Sequence, residues 1–427
     1  MNPLTLAIVV ILVLALLETP LFTIIAALSI ACLYLVEHDW LALQTILIEM
    51  NRLGAMPVLV ALPLFTLVGC LLTETRSPQR IMNFLDALMG WLPGGLAMAA
   101  LCACAFFTAL TGASGVTIVA LGSVLYPVMR DKGYGEEFTL GLLTTSGSLG
   151  LLFPPSLPII LYGVVAQVDI GNIFKAALVP GLLLIGALCV YAFFKQLAAG
   201  RRRSVHSGIS VKRVKAAFLD GIWDWPVIGI ILVGVYGGFV TIAEVSAVVL
   251  IYVVVVECFV LKEISFFNTL PSVIVESAVL SGAIIVILGV ALGFTGFLVD
   301  QQIPNQILEW LTALSDSKLL FLAGLNLFLL AVGCIMDIFS AIVIVVPIIV
   351  PIALSYGVDP IHLCVIFLVN LEIGYSTPPV GINLFISSLK FEKPVTLLYR
   401  SSLPYLLILL GVLIVITYFP WLSLFFI

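Results

Sequence analysis

Four short segments hold the residues of this chain that could do chemistry. They read Thr108-Ala-Leu-Thr-Gly-Ala-Ser-Gly115, Gly150-Leu-Leu-Phe-Pro-Pro-Ser156, Gly333-Cys-Ile-Met-Asp337 and Gly374-Tyr-Ser-Thr-Pro-Pro-Val-Gly381, and each interrupts a long apolar stretch. Proline lacks an N–H and clashes with the carbonyl one turn back, so two in a row open a helix and free carbonyls to act as oxygen ligands. Glycine permits the backbone angles that such an opening needs. Half-helix C-terminal ends with hydroxyls suit a bare Na+, and half-helix N-termini favour an anion. The ionisable groups at depth are chiefly Asp337 and Glu372, with Asn370 and Asn383 as neutral polar neighbours. An acid within a membrane segment is a functional candidate by default. Asp337, at a turn, reads as functional; for Glu372, packing between helices competes with that reading.

The elements that must position these residues occur twice. A shift of 224 positions lays Gly69 on Gly293, Pro127 on Pro351, Gly133 on Gly357, Gly150 on Gly374, and Pro154-Pro155 on Pro378-Pro379. One Gly or Pro match is cheap, and a plain Pro kink would account for a single break. Five matches in one ungapped register point to an internal repeat. Interrupted helices at matching places in two halves are a mark of secondary transporters.

Composition sets the solvent. Hydrophobic residues make up 62% of the 427 and charged residues 10%, against about 25% charged in ordinary soluble domains. The apolar runs are of membrane-spanning length, and no alternating strands of about 10 residues point to a barrel. The eight cysteines lie mostly inside apolar runs and read as small buried hydrophobes. There is no Walker loop, dinucleotide turn, metal framework or basic nucleic-acid surface. The N-terminus lacks a basic region and a cleavage site and reads as a retained helix.

The expected architecture is an all-α polytopic membrane protein with about ten transmembrane helices, two of them broken, and two re-entrant hairpins. Spans are expected at about 3–17, 21–36, 57–72, 138–166 and 175–199, then at about 216–238, 241–261, 272–298, 360–390 and 394–419. Residues 1–200 form the first repeat, 201–215 a basic cytoplasmic linker and 216–427 the second repeat. The hairpins occupy about 94–129 and 319–355; their arms of about 15 residues look too short to cross, although two full spans per stretch is the alternative. Mixed stretches at 40–54, 78–92 and 303–316 read either as interfacial arms or as ordinary connections. Lys195, Arg201, Arg202, Arg203, Lys212, Arg213 and Lys215 put the linker in the cytoplasm. Ten crossings then place Arg76, Arg80, Arg130, Lys132, Lys262, Lys390, Lys393 and Arg400 on that side too, leaving only Arg52, Lys175 and Lys318 outside. Five crossings per half invert the second repeat, with both termini periplasmic. Glu257 and Glu276 fall near span ends and are expected to be solvated.

Gly333-Cys-Ile-Met-Asp337, Glu372-Ile-Gly-Tyr-Ser-Thr-Pro-Pro-Val-Gly-Ile-Asn-Leu-Phe385 and Gly147-Ser-Leu-Gly-Leu-Leu-Phe-Pro-Pro-Ser156 resemble the large membrane subunit of tripartite ATP-independent periplasmic (TRAP) transporters, over essentially the whole chain. The resemblance implies a Na+-driven elevator importer in the bacterial inner membrane. It implies a small four-helix membrane subunit, a periplasmic substrate-binding protein, and an organic acid as substrate, such as a C4-dicarboxylate, a sialic acid or a sugar acid. Na+ is the coupling ion and no cofactor is expected. Carried onto this chain, the cation sites fall on Thr108, Thr111, Gly150, Phe153 and Pro155, and on Gly333, Gly374, Thr377 and Val380. Gly, Phe, Pro and Val would act through carbonyls. Ser114, Asp337 and Asn383 are the candidates for substrate contact. The first hairpin reads Thr111-Gly-Ala-Ser114 where the family usually has Ser-Gly-Ser-Ser, so Ala113 lacks a hydroxyl.

A stand-alone Na+/dicarboxylate or ion-pump permease of related plan is the alternative, and co-purification of a small membrane subunit separates the two. A membrane enzyme would need a convergent catalytic set, which His38, His206 and His362 do not supply.

Overall fold

The computed structural model describes residues 26–27, 29–31, 44–199, 210–237, 240–314, 317–378 and 381–427. The expected span 3–17, most of 21–36, linker residues 201–209 and Val380 lie outside them. Among the described residues every regular element is helical.

The first half begins with α1 (Gln44–Gly54) and a short 3-10 turn that leads into α2 (Ala61–Thr73). The chain then bends by 73° into α3 (Ser77–Met89), an amphipathic helix started by Pro78. Next come α4 (Gly95–Thr111) and α5 (Ser114–Asp131), joined by a two-residue turn. A broken helix follows: α6 (Glu136–Ser146), a 3-10 turn at Leu149–Leu152, and α7 (Leu157–Ala166), bent by 45°. Glu136 and Glu137 in the first turn of α6 complement its dipole. The half closes with α8 (Ile170–Ala198), which Asp169 caps by accepting the Asn172 N–H at 2.8 Å.

The second half starts with α9 (Val211–Asp220), bent by 79° from α10 (Trp225–Gly237). The Thr241/Glu244 capping box starts α11 (Ile242–Val255), which continues as a π-helical turn. Then come α12 (Thr269–Asp300), α13 (Ile303–Leu314), α14 (Lys318–Ile335) and α15 (Ile338–Ser355). The second broken helix is α16 (Pro360–Gly374) and α17 (Ile382–Phe391), followed by α18 (Val395–Tyr418) and the short α19 (Trp421–Leu424).

Boundaries in the two halves keep one register. Ser114 and Ile338 start α5 and α15, Asp131 and Ser355 end them, and both separations are 224 residues. Six helices among the described residues are long and apolar enough to cross a membrane, or up to nine if each bent pair counts as one span.

Two expectations need correction. The hairpin arms are 17 and 18 residues in the first half and 18 and 18 in the second, or about 27 Å for 18 residues at 1.5 Å each. Length therefore does not forbid crossing. Pro127, Pro347 and Pro351 sit inside their helices and do not end them. The span expected at 216–238 also begins later, at Trp225, because Gly221–Asp224 turns the chain and leaves α9 as a separate helix.

The two broken helices occupy the centre. Phe138–Ser146 and His362–Gly374 are buried throughout. Backbone packing excludes side chains there: a Cβ on Gly141 would lie 2.0 Å from the Ser401 carbonyl on α18. Tyr405 reinforces that contact by donating to the Phe138 carbonyl at 2.8 Å.

Candidate functional site

The first hairpin tip is locked against the first broken helix. Gly112 ends α4 in the left-handed region (φ +65°), and its N–H returns to the Thr108 carbonyl at 2.8 Å. The fully buried Thr108 hydroxyl lies 2.8 Å from the carbonyls of Cys104 and Gly147 and 2.9 Å from the Thr117 hydroxyl. With one proton to give, it donates to one carbonyl and accepts from Thr117, so it ties α4 to α5 and α6. Gly150 fits only because it has no side chain: a Cβ there would meet the Ala105 carbonyl at 2.1 Å and the Ala109 nitrogen at 2.4 Å. Phe153 donates its N–H to the Gly150 carbonyl at 3.0 Å and accepts from the Ser156 N–H at 2.9 Å. Thr108, Gly150 and Phe153 thus share one neighbourhood. Thr111 and Pro155 are buried, and Gly69 on α2 approaches Thr111 so closely that a Cβ would sit 2.6 Å from its Cα. Ser114 is buried at the start of α5.

The second tip repeats this crossing with different chemistry. A Cβ on Gly374 would lie 2.6 Å from the Gly333 Cα and from its carbonyl carbon. Residues 109 and 333 are thus equivalent partners of Gly150 and Gly374. Thr377 donates its hydroxyl to the Ile373 carbonyl at 2.7 Å, and its N–H to the Gly374 carbonyl at 2.9 Å. Gly381, at φ +54°, donates its N–H to the Cys334 carbonyl at 3.2 Å and so joins the break to the hairpin.

Asp337 has a local structural task. Its carboxylate caps α15, accepting the Ser340 N–H at 3.0 Å and the Ser340 hydroxyl. Ala113 holds the corresponding N-cap of α5 and makes no side-chain cap. Tyr375 was not singled out from the sequence, yet its hydroxyl accepts the Ile338 N–H and pins the tip. An aromatic residue inside a Gly/Ser/Thr/Pro break was the available signal.

The two broken helices also meet each other. The Ser148 hydroxyl lies 3.5 Å from the Glu372 carbonyl, and the Thr144 hydroxyl donates to that of Ser387 at 2.9 Å. Both carboxylate oxygens of Glu372, both amide atoms of Asn383 and the hydroxyls of Ser156 and Ser376 are buried without a hydrogen-bond partner among the described residues. Such a group costs about 1–3 kcal/mol when unsatisfied. A polar ligand that reached any of these atoms would recover that cost.

A second charged cluster was missed. Arg80, only 7% exposed, pairs with Asp224 at 2.7 Å, Glu263 at 2.7 Å and Glu257 at 3.4 Å. Glu257 is 2% exposed, so the expectation of a solvated carboxylate there is wrong; the π-helical turn at the end of α11 carries it into the cluster. Its partners lie more than 140 residues from Arg80 in sequence, so no local pattern announced them. In the loop after α17, Lys393 pairs with Glu136 at 2.6 Å, and that hydrogen bond raises the Lys393 pKa above its ordinary value.

The chain is similar to known proteins. The family model described as "Tripartite ATP-independent periplasmic transporter, DctM component" matches residues 8–422. The C4-dicarboxylate TRAP transporter large permease protein DctM of Pseudomonas aeruginosa is 37% identical over 366 residues, covering 86% of this chain and 85% of that protein. The isethionate TRAP transporter permease protein DctMQ of Oleidesulfovibrio alaskensis is 35% identical over 379 residues, 89% of this chain but 59% of that longer protein. The crystal structure of the Alcanivorax borkumensis YdaH transporter, described as having an unusual topology, is similar in fold. Its TM-score is 0.65 at 13% identity, covering 89% of this chain and 87% of that one.

Proposed function

The chain belongs to the family of the DctM component of TRAP transporters, a family of transporter permeases and not of enzymes, and from that membership we propose that it drives import of a small organic anion with Na+. The family implies a small membrane subunit and a periplasmic binding protein as partners, in a multi-pass membrane assembly. This membership favours the tripartite arrangement over a stand-alone permease.

The observation that carries the Na+ reading is the repeated crossing: Gly150 against Ala109, and Gly374 against Gly333. At both places a hairpin end meets a helix opened by tandem prolines, where carbonyls and a threonine hydroxyl converge. Thr108, Thr111, Gly150, Phe153 and Pro155 would hold one Na+. Gly333, Gly374, Thr377 and Val380 would hold the other. Ser114, Asp337 and Asn383 would face the substrate. The halves enter the inner membrane inverted, the hairpins open to opposite faces, and both termini are periplasmic. An elevator motion of the hairpin-bearing part carries the site across.

The anion class rests on the names of the relatives, a C4-dicarboxylate and isethionate permease. Both substrates are small anions, one a dicarboxylate and the other a sulfonate. The test is uptake into liposomes holding the permease with its two partners. Substrate should enter under an inward Na+ gradient. Uptake at full rate with K+ replacing Na+, and with no proton gradient, would overturn the reading.

A further inference from the structure

The helix α9 leaves one edge uncovered. The chain bends by 79° between α9 and α10, and α10 is uncharged from Trp225 to Gly237. A helix so steeply angled to a membrane-crossing one runs along the membrane surface. Trp223, which is exposed, and Trp225 flank the end of the bend, and tryptophan gathers at the headgroup level. On one side α9 packs against the amphipathic α3. There the Arg213 guanidinium pairs with Asp86 at 2.7 Å, and the Phe218 ring lies 6.0 Å from that of Phe84. No residue of α9 is buried. Spacings of four and seven residues bring Val211, Lys212, Lys215 and Leu219 to a shared edge of the helix. Val211 is 75% exposed and Leu219 50%. Lys212 and Lys215 are exposed too and form no ion pair among the described residues. Asp220, the one acid of α9, pairs with neither.

We propose that this edge docks on the bilayer interface and prefers anionic phospholipid headgroups. Val211 and Leu219 enter the boundary between headgroups and acyl chains, and the two lysines reach back to the phosphates, as snorkelling side chains do. The apolar pair alone would accept any lipid; the charge decides which. Two unpaired ammonium groups complement a headgroup of net negative charge, which a zwitterionic one does not offer. The steep bend favours a bilayer over a protein partner as the occupant, because it lays the edge at headgroup level. The inference rests on the chain's place in a membrane and not on Na+ coupling.

The test uses the full permease with its small subunit, freed of native cysteines, with Leu219→Cys carrying a bimane fluorophore. Bilayers of phosphatidylcholine contain a minor, fixed fraction of quencher lipid, either phosphatidylglycerol or phosphatidylcholine with a doxyl group near the headgroup. Both should quench, because the edge lies in the interface. The phosphatidylglycerol quencher should be preferred by at least about fivefold, the factor for one lysine near an anionic surface, and molar salt should shrink that preference. Lys212→Gln with Lys215→Gln should abolish the preference, leave quenching by phosphatidylcholine in place and keep the melting temperature unchanged. Equal quenching by the two lipids, or a preference that survives the double substitution, would overturn the proposal. Quenching by neither lipid would overturn it as well, and would show that water or another protein surface covers the edge.

Discussion

Gly333 of α14 and Gly374 of α16 meet backbone to backbone, so closely that a Cβ on Gly374 would fall 2.6 Å from the Gly333 Cα. Real Cβ atoms do not come that near to backbone, so Gly374→Ala must push the second hairpin end off the broken helix. Uptake should fall at least tenfold with the protein still present in the membrane. Gly324→Ala, on the same α14 with open space around its Cα, should leave uptake near wild type, because alanine is the better helix former. Equal effects from the two substitutions would show that the crossing does not govern transport.

Thr377→Val should weaken Na+ dependence, whereas Thr139→Val should not. Both hydroxyls donate one turn back, to Ile373 at 2.7 Å and to Gly135 at 2.9 Å. Only Thr377 stands at a break, where its remaining lone pairs can face a cation. Loss of a ligand to a charged partner costs about 1.5–3 kcal/mol, or roughly ten- to a hundredfold in Na+ affinity. An unchanged Na+ titration of uptake in Thr377→Val would remove its hydroxyl from the site.

Arg80→Met should destabilise the protein by about 3–5 kcal/mol, because it strands Asp224 and Glu257 in a buried cluster with no counter-charge. Arg213→Gln removes a pair to Asp86 whose arginine is 45% exposed, and should cost under about 1 kcal/mol. Thermal unfolding in detergent compares them. Similar melting temperatures for the two variants would mean that the Arg80 cluster contributes no more than a surface pair.

Asp131 and Ser355 end α5 and α15 at equivalent positions and are both exposed. Inverted halves place them on opposite sides of the membrane. With single cysteines in a background without native ones, an impermeant thiol reagent should label residue 355 on intact spheroplasts and residue 131 only after permeabilisation. Labelling of both from the same side would contradict the inversion. Ser77 would serve poorly for such a test, since it is 1% exposed and donates its hydroxyl to Asp224.

What the sequence announced was local. Tandem prolines and glycines write helix breaks directly into the chain, so α4 ends at Thr111, the first broken helix opens between Leu152 and Leu157, α14 ends at Ile335 and α16 ends at Gly374, where Thr108–Gly115, Gly150–Ser156, Gly333–Asp337 and Gly374–Gly381 pointed. The arm lengths were underestimated because the breaks were read over Thr108–Gly115 and Gly333–Asp337, whereas α4 runs on to Thr111, α5 restarts at Ser114 and α14 runs on to Ile335. Contacts across the fold were illegible. Nothing near Thr108 signals the Gly147 carbonyl 39 residues on, and nothing near Arg80 signals Asp224, 144 residues on. Asp337 looked like a ligand because an acid at a turn is conspicuous; it also satisfies an ordinary helix-capping pattern with Ser340.

The most direct test of Na+ coupling is the flux of the ion itself. Proteoliposomes holding the permease with its small subunit and loaded binding protein can be supplied with radioactive sodium, with and without substrate. The account predicts that substrate makes sodium enter, in fixed ratio to the substrate taken up, and that Gly374→Ala abolishes both fluxes together. Substrate entry with no accompanying sodium entry would contradict it.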